Sequence, residues 1–355
     1  IYVVHMNGTL LAGLALVGCL RPLLRWKMPG AVAAVLLGAA VLAVPVAERM
    51  SYLQRNADLT RQIGAGWEAE GAQLTQALDL AAQDRTGRVY AGQGSAGGNA
   101  WGGRFQVGWI PVYAWFPPRE MEALGYLHHM WSMNSDFQSA FDERNPIHYR
   151  VFNVSRIIAP PDVRFGSFAR PLQQFGRFRV LAVDGPGYVE LVDVPFEVEI
   201  PKSHVARAHR AWLGRLAPLR IHPRWTVVEA DAAPTELTRL DKYDISFPAV
   251  KPPGGRRGEV LSVEREADDF VAHVDAERAC HVLLKMTYHP GWKATVDGAP
   301  VEPVQLFPSY LGVPVGPGEH RVEFRWAPGN SKTWLALAGI GILTAFAAIS
   351  RRIRI

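Results

Sequence analysis

The sequence has few of the residues that build disulfide frameworks or metal sites. Only two of its 355 residues are cysteines, Cys19 inside an apolar run and Cys280 far along the chain, and they form neither a metal-binding spacing nor a disulfide framework. Excess charge is also small, because 38 Lys and Arg against 33 Asp and Glu leave a net charge of +5. No DNA- or RNA-binding motif is present. We therefore expect no metal, no other cofactor and no nucleic-acid partner.

Charge is almost missing from three long apolar runs. They occupy residues 1–24, 28–47 and 333–350, and Arg21 is the single charged residue among them. Each run is close to the ~17–25 residues that a helix needs to cross a membrane. The sequence thus predicts a membrane protein with three transmembrane helices. The alternative for the third run is a buried C-terminal helix.

Positive residues beside these runs predict the orientation of the chain. Two short clusters are present, one from the end of the first run to the start of the second and one after the third: Arg21, Arg25 and Lys27, and Arg351, Arg352 and Arg354. Positive residues in short loops stay in the cytoplasm. We therefore expect residues 48–332 to lie outside the cytoplasm and the C-terminus to lie inside.

The external part divides into three segments by its residue pattern. Residues 48–86 have helical periodicity, and Gly64, Gly66 and Gly71 are expected to break this juxtamembrane segment into two helices. Residues 87–250 mix helical and strand signals and predict an α/β or α+β domain. After a Pro- and Gly-rich linker, residues 255–329 contain only short strands and predict a small antiparallel β-sandwich.

Three local features are predicted within residues 87–250. A strand covers residues 151–158. Residues 178–183 and 188–194 are expected to form a hairpin around the turn sequence Asp184-Gly-Pro-Gly187. A basic helix covers residues 203–216, with Ser203 as its N-cap.

A glycine motif and a histidine pair fit cofactor sites poorly. Residues 92–97 have the spacing Gly-x-Gly-x-x-Gly, but the glycines and Trp101 that follow do not start the helix whose N-terminus a dinucleotide needs. We interpret residues 92–103 as a loop. His128 and His129 are adjacent on a predicted helix, point about 100° apart, and are not expected to share a metal.

Aromatic residues give the best candidates for ligand contact. Trp109, Tyr113 and Trp115 follow the glycine-rich loop, and Trp292 lies in the predicted sandwich. Exposed rings of this kind stack on sugars or sit at lipid headgroups, whereas buried ones fill a core, and both alternatives are open for these four. Arg104 lies close by in sequence and could meet a phosphate. The acidic residues are scattered, so no catalytic pair can be named.

A family resemblance adds to these observations. Residues 288–298, Tyr-His-Pro-Gly-Trp-Lys-Ala-Thr-Val-Asp-Gly, resemble the signature of YfhO-like bacterial membrane proteins. Residues 316–324 resemble the Gly-x-His-x-Val-x-Phe strand that follows it in that family, and residues 153–159 resemble an upstream Asn-Val strand, from which Arg156 and Ile157 depart.

The resemblance implies a function in the bacterial cell envelope. YfhO-like proteins are similar to GT-C glycosyltransferases, which transfer a sugar from a polyprenyl-phosphate carrier outside the cytoplasmic membrane. On this basis we expect the C-terminal portion of such an enzyme, with membrane lipid, lipid-linked sugar and envelope glycan as partners. The catalytic loop of the family has no counterpart here, so no catalytic residue can be carried over. A non-catalytic glycan-binding or envelope-assembly protein is the alternative.

Overall fold

A computed structural model describes residue 18 and residues 27–94, 100–125, 137–228, 238–239, 247–248, 250, 253–266, 269–327 and 329–352. Apart from Gly18, the first predicted span lies outside these residues, as do His128 and His129. The chain divides into two compact units, residues 1–69 and residues 70–355.

The described chain contains four α-helices, which separate longer runs of strands. The helices are α1 (Lys27–Ala82), α2 (Pro146–Phe152), α3 (Val205–Arg215) and α4 (Ser331–Arg352). The strands up to residue 239 are β1 (Arg88–Tyr90), β2 (Gln106–Val107), β3 (Ile110–Pro111), β4 (Ala123–Leu124), β5 (Val154–Ala159), β6 (Ala169–Phe175), β7 (Phe178–Val183), β8 (Val189–Val192), β9 (Glu197–Pro201), β10 (Arg224–Val228) and β11 (Thr238–Arg239). The later strands are β12 (Gly258–Glu266), β13 (Asp269–Ala276), β14 (Cys280–Leu284), β15 (Trp292–Val296), β16 (Ala299–Val301), β17 (Val304–Leu306), β18 (Tyr310–Val315) and β19 (Gly318–Trp326). The expected α+β class is confirmed.

Helix α1 contains 56 residues, which corresponds to a length of about 84 Å. It is continuous through Gly64, Gly66 and Gly71, so the prediction of two helices was wrong. A glycine inside a helix costs only about 1 kcal/mol relative to alanine. Burial of apolar side chains on the last turns, including Leu74 and Leu78, offsets that cost.

Apolar surface identifies the segments suited to a membrane. Among the described residues, one helix is long and apolar enough to cross a bilayer, and it begins at Pro29 within α1. Helix α4 overlaps the third predicted span, but its apolar stretch, Lys332–Ala345, is shorter. Trp334 and Leu335 of α4 are 68% and 72% exposed.

The first sheet has the strand order β4-β1-β5-β7-β6. Strands β4, β1 and β5 run parallel, and β7 and β6 continue the sheet in antiparallel fashion. The end of α1 packs on one face of this sheet, where Leu74 and Leu78 share a core with Val89 and Ile158. Helices α2 and α3 contribute to the core on the other face.

The strand β7 forms its hairpin with β6, not with the segment after Asp184. Phe175 pairs with Phe178 across the two-residue loop Gly176-Arg177. Gly176 has a φ of 55°, which suits the tight turns that match strand twist. The longer turn sequence at Asp184 instead leads to β8 in another sheet, so the predicted hairpin was wrong.

Two further boundaries differ from prediction. Strand β5 begins at Val154 because helix α2 extends to Phe152, and Asn153 ends that helix in the left-handed conformation with a φ of 53°. The N-cap of α3 is His204 rather than Ser203, because a turn of 3₁₀-helix over Lys202–His204 precedes the helix.

The second and third sheets pack face to face. The second has the order β11-β9-β10-β17-β18-β14-β8, and the third, which is antiparallel, has the order β12-β13-β19-β15-β16. Side chains of both sheets share one core, including Val282 and Val313 opposite Phe270 and Phe324. Strand β8 pairs with β14, so the sandwich is not formed by residues 255–329 alone. Alternation within 255–329 predicts strands, but it does not reveal a partner strand that lies 90 residues upstream.

Candidate functional site

The predicted aromatic segment begins with a tight hairpin. Strands β2 and β3 are joined by Gly108 and Trp109, whose φ angles are 55° and 71°. Two successive left-handed residues are typical of the type I′ turn that connects two strands in the fewest residues. The turn exposes Trp109, whose accessible fraction is 65%.

The other residues of that segment lie elsewhere. Tyr113 and Trp115 belong to a 3₁₀-helix over Val112–Trp115, are partly buried, and pack against the core beside the end of α1. Arg104 is exposed at the base of the hairpin, whereas Trp109 is at its tip. The structure therefore does not gather Arg104, Trp109, Tyr113 and Trp115 into one ligand surface.

Trp292 belongs to the sandwich core. Its side chain is 6% exposed, and its indole Nε1 donates a hydrogen bond to the carbonyl oxygen of Thr287 at 3.1 Å. Its ring lies 5.5 Å from that of Trp326. Of the two alternatives left open by the sequence, the core role applies to this residue.

The first glycines of the Gly-x-Gly-x-x-Gly motif serve close packing of the backbone. Gly92 has a φ of 76°, and a Cβ atom on Gly102 would lie 2.5 Å from its carbonyl carbon. A Cβ atom on Gly94 would lie 2.8 Å from the hydroxyl of Tyr113. These contacts account for both glycines without a bound phosphate. Residues 95–99 of the predicted loop lie outside the described part of the chain.

A polar cavity of about 450 Å³ is the site that sequence reasoning missed. It lies within the second unit, between the end of α1, the segment before β4, and the start of the sandwich. Its lining is mainly charged: Asp84, Arg85, Arg119, Glu120, Glu122 and Arg265, with Tyr188 and several small or apolar residues. Three acidic and three basic side chains therefore surround the space.

Glu122 is the centre of the charged network that supports this cavity. Its two carboxylate oxygens lie 3.3 Å from Nε of Arg88 and 2.5 Å from Nη2 of Arg265. Arg88 is itself fixed, because its guanidinium donates hydrogen bonds to the carbonyl oxygens of Phe152 at 2.7 Å and Lys285 at 2.5 Å. The position of the carboxylate is thus set by both the first sheet and the sandwich.

The ring of Tyr188 lies beside the same two arginines. The guanidinium carbon of Arg88 is 5.4 Å from the ring centroid and that of Arg265 is 4.9 Å from it. Contacts of this length are favourable cation–π interactions. They hold the two guanidinium planes in fixed positions. The arginine side chains therefore lose less conformational entropy when a ligand binds.

The pKa values of Glu122 and Tyr188 are both shifted away from neutrality. Burial raises the pKa of Glu122, but the Arg88 and Arg265 guanidiniums outweigh that effect and hold it below its ordinary value. Burial raises the pKa of Tyr188 to about 12. At neutral pH Glu122 is a carboxylate and Tyr188 is a neutral hydroxyl. A general acid or base needs a pKa near the working pH, which neither group has.

The rim of the cavity carries looser ion pairs. Arg85 Nη1 lies 3.4 Å from Glu120 Oε2, and both side chains are mostly exposed. Arg119 Nε lies 3.1 Å from Asp79 Oδ1. Glu120 has a φ of 56°, where the turn Pro117–Arg119 ends. Arg85 and Glu120 can reorient toward a ligand, because weak exposed pairs contribute little to stability.

Comparisons with known proteins assign the chain to no family. No family model matches it, and neither a curated protein nor a solved structure matches it significantly. Within the described residues, no group of three or more His, Cys, Asp or Glu side chains is placed to hold a metal ion.

No local motif could have indicated this site. Arg88, Glu122 and Arg265 are separated by 34 and 143 residues along the chain. Parallel pairing of β1 and β4 and the packing of the sandwich bring them together. In the sequence Arg88 is only a charged residue between Gly87 and Val89, a pattern that indicates the start of a strand and no binding site.

Proposed function

We propose that this chain is a membrane-attached module that binds carbohydrate in the cavity around Glu122. The observation that carries the proposal is the balanced lining of that cavity, in which three carboxylates and three guanidiniums surround a space of about 450 Å³. This volume falls in the usual range of small-molecule sites.

A neutral polyhydroxylated ligand matches such a lining. Each sugar hydroxyl is both a donor and an acceptor, so it can donate to a carboxylate and accept from a guanidinium. Hydrogen bonds to charged groups contribute about 1.5–3 kcal/mol each, more than those between neutral groups. A polyanion fits less well, because Asp84, Glu120 and Glu122 would repel it.

The resemblance to YfhO-like proteins supports a more specific proposal about the reaction that this binding serves. We propose that the module belongs to a GT-C-like glycosyltransferase and holds the sugar of a polyprenyl-phosphate carrier or of the acceptor glycan. Arg85 and Arg119 at the rim suit the single phosphate of such a carrier. The alternative function is glycan binding or envelope assembly without transfer. The Glu122 carboxylate, which Arg88 and Arg265 hold in place, supports binding of a sugar in either case.

Membrane placement is part of the same proposal. The apolar start of α1, together with α4 and residues 1–24, would anchor the chain in a bacterial cytoplasmic membrane, with residues 48–332 outside and the C-terminus inside. Cysteine substitutions at Asp297 and Arg352, in a background without Cys19 and Cys280, test this with an impermeant thiol reagent on intact cells. Labelling at 297 alone is expected, and labelling at 352 alone contradicts it.

The cavity itself is tested with rim variants that leave the fold intact. In full-length protein in nanodiscs, Arg85→Ala and Glu120→Gln should each weaken binding of neutral mono- to hexasaccharides about five- to ten-fold, measured by calorimetry. Arg256→Ala is the matched control, because Arg256 is equally exposed and also lies 3.4 Å from its partner, Glu277.

Two outcomes would contradict the proposal: no saccharide bound by the unmodified chain, or equal weakening by Arg256→Ala. The transferase and assembly alternatives separate in the host bacterium. If the chain serves a transferase, Glu120→Gln should remove one sugar from the envelope glycan. If it serves assembly, the sugar composition should stay constant while the amount of polymer falls.

A further inference from the structure

Trp109 occupies a backbone conformation that its side chain disfavours. Its φ of 71° is left-handed, and Gly or Asn is usual at both central positions of a type I′ turn. A bulky residue there is strained, because its Cβ atom crowds the following carbonyl oxygen. The same residue exposes 65% of its surface, so burial of the indole does not offset that strain. Strain of this kind concentrates at functional positions.

The hairpin that carries Trp109 is rigidly held at its base. Phe105 and Val112 are buried in the core, and the amide of Val112 donates to the carbonyl oxygen of Phe105 at 2.9 Å. Arg177 adds a clamp, since it donates to the carbonyl oxygen of Gln106 at 2.5 Å and pairs with Glu70 at 2.5 Å. The backbone that carries the indole is therefore held in a fixed position.

The tip presents a single apolar ring. Val107 is buried, and Ile110 and Pro111 are only partly exposed. A loop that inserts into a bilayer usually exposes several apolar residues together. One exposed indole on a fixed backbone suits instead the apolar C–H face of a sugar ring, because a large apolar ring with few side-chain torsions loses little entropy when a sugar stacks on it.

We propose that Trp109 is a stacking subsite for a carbohydrate chain, separate from the cavity around Glu122. This proposal rests on the proposed carbohydrate function and extends it to a second contact point. Trp109 is not among the residues that line the cavity. The ligand class is a neutral or weakly charged oligosaccharide whose rings carry an apolar face.

Two substitutions at position 109 separate the ring from the turn. Trp109→Asn removes the ring but supplies a residue that the turn favours, so the melting temperature should stay equal or rise. Trp109→Tyr keeps an aromatic face. In full-length protein in nanodiscs, calorimetry with hexasaccharides should show about five-fold weaker binding for Trp109→Asn and near-normal binding for Trp109→Tyr.

The outcomes distinguish this subsite from the cavity. Unchanged hexasaccharide binding in Trp109→Asn, with weakening retained in Arg85→Ala, overturns the subsite and leaves the cavity proposal intact. No saccharide binding by the unmodified chain overturns both. If nanodiscs with brominated lipids quench an emission component that Trp109→Asn removes, the ring contacts lipid, and the subsite is again overturned.

Discussion

The Nδ1 atom of His320 lies 2.7 Å from a carboxylate oxygen of Asp297. The other carboxylate oxygen accepts a hydrogen bond from the amide of Arg321 at 2.9 Å. These contacts join the Asp-Gly turn between β15 and β16 to the start of β19. Two of the motifs that carry the family resemblance thus touch each other, and their role within this chain is to fix one corner of the third sheet.

We expect Asp297→Asn to lower the melting temperature at pH 7 and to have little effect at low pH. The hydrogen bond from His320 lowers the pKa of Asp297 below its ordinary 3.8. The contribution of the ionised Asp297 carboxylate to stability is therefore present above pH 3.8. It is lost as the pH falls through the lower pKa that this carboxylate has in the folded state. Asn tolerates the φ of 54°, so the turn is retained.

Thermal melting of the unmodified chain and of Asp297→Asn, monitored by circular dichroism at pH 7 and pH 3, measures this effect. The difference in melting temperature should shrink on acidification. A difference that is the same at both pH values would show that the charge of Asp297 contributes nothing.

Removal of Lys285 should strongly destabilise the fold. Its ammonium is 1% exposed and lies 2.9 Å from Glu190 Oε2. Burial raises the pKa of Glu190, but Lys285 outweighs this and lowers it to about 2. Lys285→Met removes the buried partner of the Glu190 carboxylate and leaves the half-exposed Arg220, whose Nε lies 3.0 Å from Glu190 Oε1. The loss should cost about 3 kcal/mol in free energy of unfolding.

The double variant Lys285→Met/Glu190→Leu should recover most of that loss, because both buried charges are gone. Arg325→Met is the control, since Arg325 and Asp269 form an exposed pair that should contribute under about 1 kcal/mol. Urea unfolding in detergent micelles measures the free energy of unfolding of all three variants. A double variant less stable than Lys285→Met would contradict this account.

Stability should fall as the pH drops from about 6.5 to about 4. Burial lowers the pKa of both His209 and His222 to about 4. The unfolded chain takes up protons on these residues near pH 6.5 while the folded chain does not, so each costs up to about 3 kcal/mol across the window. The slope of the unfolding free energy against pH, from urea titrations, reports the number of protons that the chain takes up when it unfolds. His222→Gln should reduce it by about one proton, and an unchanged slope would contradict the prediction.

Two glycine substitutions should act in opposite directions. Gly102→Ala places a Cβ atom 2.5 Å from the carbonyl carbon of Gly92, which should cost about 1–3 kcal/mol in unfolding free energy. Gly214 is exposed inside α3 with open space around it, so Gly214→Ala should stabilise by about 0.5–1 kcal/mol. Urea unfolding compares the two. If both variants lose stability equally, backbone crowding at Gly102 is not the cause.

Local sequence determined the elements whose signals are short-range. The apolar start of α1 follows from uninterrupted hydrophobic residues, strand β1 from its apolar pair before Gly92, and the tight turn at Asp297 and Gly298 from an Asp-Gly pair that tolerates left-handed backbone. The α+β class follows from the mixture of helix and strand patterns. Glycines at 64, 66 and 71 suggested a break that tertiary packing of the helix end prevented.

Tertiary structure alone decided which distant strands pair and where charges meet. Strand β8 joined β14 because pairing energy depends on residues far apart in the sequence. The pairing of β7 with β6 is local by contrast, since the two-residue loop Gly176-Arg177 connects these strands. Burial assigned Trp292 to the core, and turn geometry exposed Trp109. The cavity around Glu122 exists only because three distant segments pack together, since a lone Arg or Glu in a sequence carries no information about its partner.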